Sequence, residues 1–206
     1  VEVVNDETAK KFVVDDHIYI RIILSIELTI DESTNNMNPR KRKLDYSTRT
    51  PLTDFRLLIE GQSFYVGRQF LATLSPYFDR LLFGDFAGKD EVTLEDVSYE
   101  DFLLFMNQLY PMNQPLEDST VERILEMAAR FEVKIVLSRV ESFLMESSSI
   151  SLSKKLLLSD RYALTSLKND CMDKLADKEA VRDLAKEEEY KELPHALKVK
   201  ILENLL

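Results

Sequence analysis

Between residues 52 and 86 the apolar positions change period. Phe55, Leu57 and Ile59 recur every second residue, Gly61-Gln62 interrupts them, and Phe64 and Val66 resume the pattern. Because successive strand side chains point to opposite faces, a two-residue period broken at a glycine predicts a β-hairpin with its turn at Gly61-Gln62. From Phe70 the spacing lengthens: Phe70, Leu71, Leu74, Phe78, Leu81 and Leu82 fall on one face of a 3.6-residue repeat, so the hairpin is predicted to run straight into a helix. Val92 and Leu94 predict a further short strand. Ser98 then stands where a helix cap belongs, ahead of an apolar face of Phe102, Leu103, Met106, Leu109 and Tyr110 that Pro111 and Pro115 terminate.

Residues 118–145 predict two more helices, with Val121, Ile124, Leu125, Ala128 and Phe131 on one face and Ile135, Val136, Val140, Phe143 and Leu144 on the next. The pattern then recurs. Ala129-Arg130-Phe131-Glu132-Val133 aligns with Asp160-Arg161-Tyr162-Ala163-Leu164, and one offset also pairs Val136 with Leu167, Val140 with Cys171 and Leu144 with Leu175. This is an internal repeat of a helical hairpin, each copy covering the face its neighbour leaves open. It puts Cys171 at an inert core position. Helix continues to Leu206, with the charged run Lys178 to Glu192 as a solvated face or exposed turn.

Before residue 50 the pattern differs. Phe12 to Ile30 is rich in β-branched residues, with Ile18, Ile20 and Ile22 alternating against His17, Tyr19 and Arg21, and predicts a strand whose sheet partners lie in a preceding region or in another chain. Residues 31–50 are polar, non-periodic and contain Pro39, the marks of a linker. Within it Arg40, Lys41, Arg42 and Lys43 form a basic tetrad, which reads either as a nuclear-localisation signal or as a solvated linker segment.

Composition narrows what such a chain does. Among 206 residues the formal net charge is -10, which argues against a broad phosphate-binding surface, so no nucleic-acid partner is expected. The single cysteine forms no intrachain disulfide and suits a reducing cytoplasm or nucleus. The apolar run around Ile18 to Ile30 is broken by Arg21 and Glu27 and is too short to span a bilayer, no signal peptide is visible, and Val1 in place of Met points to a truncated chain. His17 and His195 are the two histidines, no phosphate-loop, dinucleotide or metal-ligand motif occurs, and four glycines leave little for a phosphate cradle. No catalytic residue, cofactor or metal is expected, because the residue types that catalysis uses are scarce and scattered.

Leu52-Thr53-Asp54, Arg68, Leu71-Ala72 and Ser75-Pro76-Tyr77-Phe78 resemble the start of a BTB/POZ domain, whose pattern is L-[ST]-D, a [HN]-[KR] pair before a helix, then L-A-x-x-S-P-x-F. Gly67 stands where that family has His or Asn. Leu109-Tyr110-Pro111 resembles its [IL]-Y-[TP] helix end, and the Pro variant, with Leu44-Asp45-Tyr46-Ser47 and Phe64-Tyr65-Val66, is most similar to the MATH-BTB proteins expanded in nematodes. F-V-V-D-D-x-I-x-I-x-x-x-L-S-I resembles the last strands of a MATH domain, and the helices after residue 148 resemble BACK or three-box helices. The resemblance implies an α+β fold: a MATH-like tail at 1–30, a basic linker at 31–50, a BTB/POZ domain with a short mixed sheet at 51–147, and a helical BACK-like extension at 148–206.

It also implies two surfaces. BTB domains dimerise through the apolar face of their first helices, which puts Phe70, with Leu52 and Leu74, in a homodimer interface; the other reading of Phe70 is ordinary core. The amphipathic helix that many MATH-BTB proteins carry before L-[ST]-D is replaced here by a Pro-containing basic stretch. Adaptors of this type grip a cullin with a Φ-x-E motif and the Tyr-containing helix end, which fall on Phe86-Ala87-Gly88 and Tyr110. The hydrophobic residue is present and the acid is not, and Ala129 stands where a related L-A-D-R-F motif has Asp. The resemblance therefore implies a substrate adaptor of a cullin-RING ubiquitin ligase, selecting a protein substrate. The alternative is a BTB scaffold that dimerises and assembles a complex without a cullin.

Overall fold

The computed structural model describes residues 13–14, 17–18, 45–110 and 114–204, within two compact units, Val1–Met37 and Asn38–Leu206. In the first unit β1 (Val13–Val14) pairs antiparallel with β2 (His17–Ile18), Val13 opposite Ile18 and Val14 opposite His17. The chain therefore reverses inside the stretch that the alternation reads as one strand. Asp15 and Asp16, which separate the two, are residue types that strands avoid and turns favour. The remainder of the MATH-like stretch and the tetrad Arg40 to Lys43 lie outside the described residues.

In the second unit the expected hairpin is formed by β3 (Phe55–Ile59) and β4 (Gln62–Val66), with Phe55 opposite Val66, Leu57 opposite Phe64 and Ile59 opposite Gln62. The turn sits one residue earlier than the spacing predicts. Glu60 and Gly61 both have positive φ, 50° and 75°, the combination that matches the twist of a two-residue hairpin and that leaves Gln62 inside the strand. β5 (Glu91–Leu94) joins β3 in parallel, giving a mixed sheet in the order β4-β3-β5. One face of this sheet is fully buried through Phe55, Leu57, Ile59, Phe64 and Val66.

The packed unit begins before residue 51. Tyr46 is buried, its ring stacks on Phe64 at 4.4 Å, and its carbonyl accepts from the Tyr65 amide at 2.7 Å. Residues expected to be linker thus extend the sheet's outer edge. Beside Tyr46, the Asp45 carboxylate accepts from the Ser47 hydroxyl at 2.6 Å and amide at 2.9 Å, which hold it below the usual carboxylate range.

The helix predicted across Phe70 to Leu82 is broken. α1 (Arg68–Leu74) stops at Ser75, whose extended backbone (φ -140°, ψ 115°) is what a residue before proline prefers. α2 (Pro76–Asp79) restarts at once and passes into a π-helical turn, Arg80–Asp85. Periodicity survives the break because Phe78 and Leu82 return to the same core as Leu71. α3 (Tyr99–Leu109) is capped as expected by Ser98, and also by the Glu60 carboxylate, which accepts from the Tyr99 amide at 3.0 Å. It ends where Tyr110 becomes extended ahead of Pro111.

The repeat is realised in backbone detail. α4 (Val121–Arg130) and α5 (Lys134–Glu146) meet at Glu132, with φ 55°; α6 (Leu152–Arg161) and α7 (Thr165–Asp173) meet at Ala163, with φ 54°. The Val133 amide reaches back to the Ala128 carbonyl at 2.8 Å, and the Leu164 amide to that of Ser159 at 2.9 Å. Both are left-handed helix ends closed by a six-residue hydrogen bond. All six residues that the offset pairs, Val136 with Leu167, Val140 with Cys171 and Leu144 with Leu175, are buried. Burial pushes the Cys171 thiol up to about 11, the behaviour of an inert core cysteine.

The two copies are tied together within one unit. Glu141 on α5 accepts from the Leu167 amide at 2.9 Å, and Asp118 accepts from the hydroxyls of Ser148 and Ser149, each at 2.6 Å. The charged run after Lys178 is more than a solvated face. In α8 (Lys178–Leu184) Val181 and Leu184 are buried, and Glu187 accepts from the Ser153 amide at 2.7 Å and from its hydroxyl. α9 (His195–Glu203) closes the described chain on Leu197 and Ile201.

Candidate interaction surfaces

Phe70 is half-buried on α1, with its ring stacked on Tyr110 at 4.7 Å; Tyr110 in turn lies 5.8 Å from Tyr46. Tyr110, which the family pattern assigns to the cullin-facing side, is therefore grouped by its ring contacts with the helix that carries Phe70. Burial raises the Tyr110 hydroxyl above its ordinary range, so it stays neutral. Leu74 is half-buried, and Leu52 projects with 87% of its surface exposed.

Gly67 explains the position of Leu52. A Cβ on Gly67 would lie 2.9 Å from the Leu52 carbonyl oxygen and 3.6 Å from the Phe70 Cβ. The turn at Thr50–Thr53, closed by the Thr53 amide on the Thr50 carbonyl at 3.1 Å, sits directly on Gly67 where a side chain would intervene. The glycine in place of His or Asn thus lets the Leu52 backbone approach the start of α1 closely. Spacing in the sequence carries no trace of this approach.

The second surface follows the π-helical turn. Phe86 is half-buried and Lys89 Nζ lies 4.7 Å over its ring, while Ala87 and Gly88 are exposed. Gly88 has φ 80° with open space around a Cβ, so the missing acid is accompanied by a backbone conformation that side chains resist. Two further apolar residues are exposed: Phe83 (51%), which lies off the predicted helix face, and Ile135 (61%), which the periodicity places on a core face. They stand three residues beyond Arg80 and Glu132, whose side chains pair at 2.7 Å and join the π-helical turn to the α4–α5 junction. Ala129 is half-buried on α4.

Chemistry is sparse around both surfaces. Among the described residues, no group of three or more His, Cys, Asp and Glu could hold a metal ion, and no helix is long and apolar enough to cross a membrane. A polar cleft of about 240 Å³ lies between Arg49, Asp54, Arg56, Tyr65, Asp90 and Glu91, where Arg56 pairs with Glu91 while Asp54 and Asp90 face Arg68.

A short mixed sheet under helical hairpins, bearing exposed apolar residues on helix and turn, has the architecture of a protein-interaction module. The chain belongs to the BTB/POZ domain family, whose model matches residues 45–148. Several of its relatives are BTB and MATH domain-containing proteins. It is 31% identical over 198 residues to BTB and MATH domain-containing protein 36 of Caenorhabditis elegans, covering 95% of this chain and 60% of that protein. It is 32% identical over 167 residues to BTB and MATH domain-containing protein 38 of the same organism, covering 80% and 43%. Among solved structures, the BTB domain of human Gigaxonin aligns with 60% of this chain and all of that chain at 16% identity and a TM-score of 0.39. The chain thus spans less than two thirds of the length of these curated relatives.

Proposed function

We propose that this chain is the dimerising and cullin-engaging part of a substrate adaptor for a cullin-RING ubiquitin ligase, working in the cytoplasm or nucleus. The observation that carries the reading is the turn after Asp85 in a BTB domain: Phe86 occupies the hydrophobic place of the Φ-x-E motif, with exposed Phe83 on the preceding turn. A cullin helix needs an apolar anchor of this kind, and a few such anchors dominate binding energy. Leu52, Phe70 and Leu74 are the homodimer contacts in this reading, and a protein substrate is held by sequence outside the BTB region.

A second reading is a BTB scaffold that dimerises and builds a complex without a cullin. Gly88 favours it, since neither the acid nor its backbone conformation is present. Calorimetry of the purified chain against the amino-terminal half of a cullin separates the two. Saturable heat at micromolar concentration that Phe86→Asp abolishes supports the adaptor. Absence of heat and of co-elution at tens of micromolar leaves the scaffold.

A further inference from the structure

Arg68 engages groups on two separate parts of the chain. Its guanidinium carbon lies 4.5 Å over the Phe55 ring, and Nη2 donates to the Lys89 carbonyl at 2.7 Å and sits 3.5 Å from the Asp90 carboxylate. Nε faces Asp54 at 3.6 Å, near enough for charge attraction and beyond hydrogen-bond reach. The Arg68 amide also donates to Asp54 at 2.8 Å, and only 15% of the side chain is exposed. A planar, permanently charged fork holds several acceptors at once in this way, which a lysine ammonium does not.

Two of these contacts, to Lys89 and Asp90, fall on one short segment, and the others, to Asp54 and Phe55, on the start of β3. Lys89, whose carbonyl Arg68 holds, closes the turn by donating its amide to the Phe86 carbonyl at 3.1 Å and lays its ammonium over the Phe86 ring. Gly88 in the middle of that turn takes the left-handed conformation, which offers little resistance to collapse into other shapes. Arg68 meanwhile opens α1, the helix that carries Phe70 and Leu74.

We infer that Arg68 is a positioning residue that clamps the Phe86–Asp90 turn against the sheet and so couples the dimer-facing helix α1 to the cullin-facing Phe86. The coupling to a cullin rests on the function proposed above; the clamp on the turn does not.

Hydrogen exchange on full-length wild type and Arg68→Gln, with light scattering and cullin calorimetry on the same samples, tests both parts. Losing a charge-assisted bond to a carbonyl is expected to speed exchange of the Ala87 and Lys89 amides about tenfold, with β3 and β4 amides unchanged. Dimer mass is expected to hold while cullin affinity falls about tenfold, because the anchor is no longer pre-formed. Unchanged exchange in the turn, or acceleration spread evenly over the chain, overturns the clamp. If Arg68→Gln does not fold, Arg68→Lys, which keeps the charge over Phe55, decides by the same local-against-global comparison. A wild type that binds no cullin removes the functional reading, and the exchange result still decides the clamp.

Discussion

The Ser75 hydroxyl donates to the Phe131 carbonyl at 2.5 Å while accepting the Phe78 amide at 3.0 Å. One buried side chain thus caps α2 and satisfies the end of α4, fifty-six residues away. The serine of the S-P-x-F pattern is there for this double role, and the proline after it keeps Ser75 extended so that its hydroxyl can reach both ways. Phe78 and Phe131 stack at 5.0 Å immediately behind it.

Ser75→Ala leaves the Phe78 amide uncapped and the Phe131 carbonyl buried without a donor. Losing a cap costs about 1 kcal/mol and an orphaned buried acceptor about 1 to 3 kcal/mol. Urea unfolding should therefore show a loss of about 2 to 4 kcal/mol with an unchanged slope. A loss under about 0.5 kcal/mol would mean that Ser75 stabilises nothing beyond its own turn.

Gly67→Asn restores the family's residue type and should nonetheless harm this chain. The added Cβ meets the backbone carbonyl of Leu52, and backbone yields less readily than a side-chain tip. Overpacking of this kind costs about 1 to 3 kcal/mol. The relief available is an outward shift of the Thr50–Thr53 turn, so the dimer dissociation constant measured by sedimentation should rise along with the loss of stability. A variant with wild-type stability and wild-type dimerisation would show that the Leu52 approach has no consequence.

Much of this fold is legible in the sequence, for definite physical reasons. The β3–β4 pairing is readable because a slip of one residue would turn Leu57 and Phe64 out of the core. The repeat is readable because each helical hairpin must bury the same face. What escapes is non-local. The seat of Leu52 on Gly67 and the grip of Arg68 on Lys89 depend on backbone atoms distant in sequence, and a backbone carbonyl has no signature in the pattern of side chains. The exposure of Ile135 escapes for another reason: an apolar residue at helical spacing reads as core whether or not the fold covers it. The turn at Glu60-Gly61 is displaced by one because Glu is a poor marker for a left-handed position.

Gly88→Glu supplies the missing acid and tests what the loop tolerates. The space around position 88 is open, but at φ 80° a non-glycine residue costs about 1 to 2 kcal/mol. Calorimetry against the cullin should show tighter binding, by less than an acid alone would give, because the backbone strain offsets part of it. Thermal unfolding of the free chain should fall by a few degrees. Stability equal to wild type would mean that the turn relaxes out of the left-handed conformation.

The two equivalent helix ends of the repeat offer an internally controlled comparison. Ala163 and Glu132 both occupy left-handed positions, where a side chain is strained and glycine is not. Ala163→Gly removes that strain at an exposed site and should stabilise the chain by about 0.5 to 1 kcal/mol in urea unfolding. Glu132→Gly relieves the same strain but severs the pair with Arg80 that joins the α4–α5 junction to the π-helical turn, so its gain should be smaller. If the two substitutions gain equally, the Arg80–Glu132 pair contributes nothing to stability. If Ala163→Gly destabilises, the left-handed geometry is not what limits this helix end.

The junction before α6 should weaken in acid. Asp118 accepts from the hydroxyls of Ser148 and Ser149 and from the Ser149 amide at 2.9 Å, and the hydroxyl bonds hold its carboxyl below the usual range. A group whose pKa is lowered by folding contributes stability that is fully present above its unfolded value and is lost as pH falls through the folded one. The effect is therefore confined to pH below about 4, where an unperturbed Asp begins to protonate. Hydrogen exchange across Ser148–Ser151 should accelerate on acidification from pH 5 to pH 3, after correction for intrinsic rates, more in wild type than in Asp118→Asn. The Asn variant lacks the titrating group and should already show the looser junction at pH 5. Equal acceleration in both would assign the acid sensitivity to carboxylates other than Asp118.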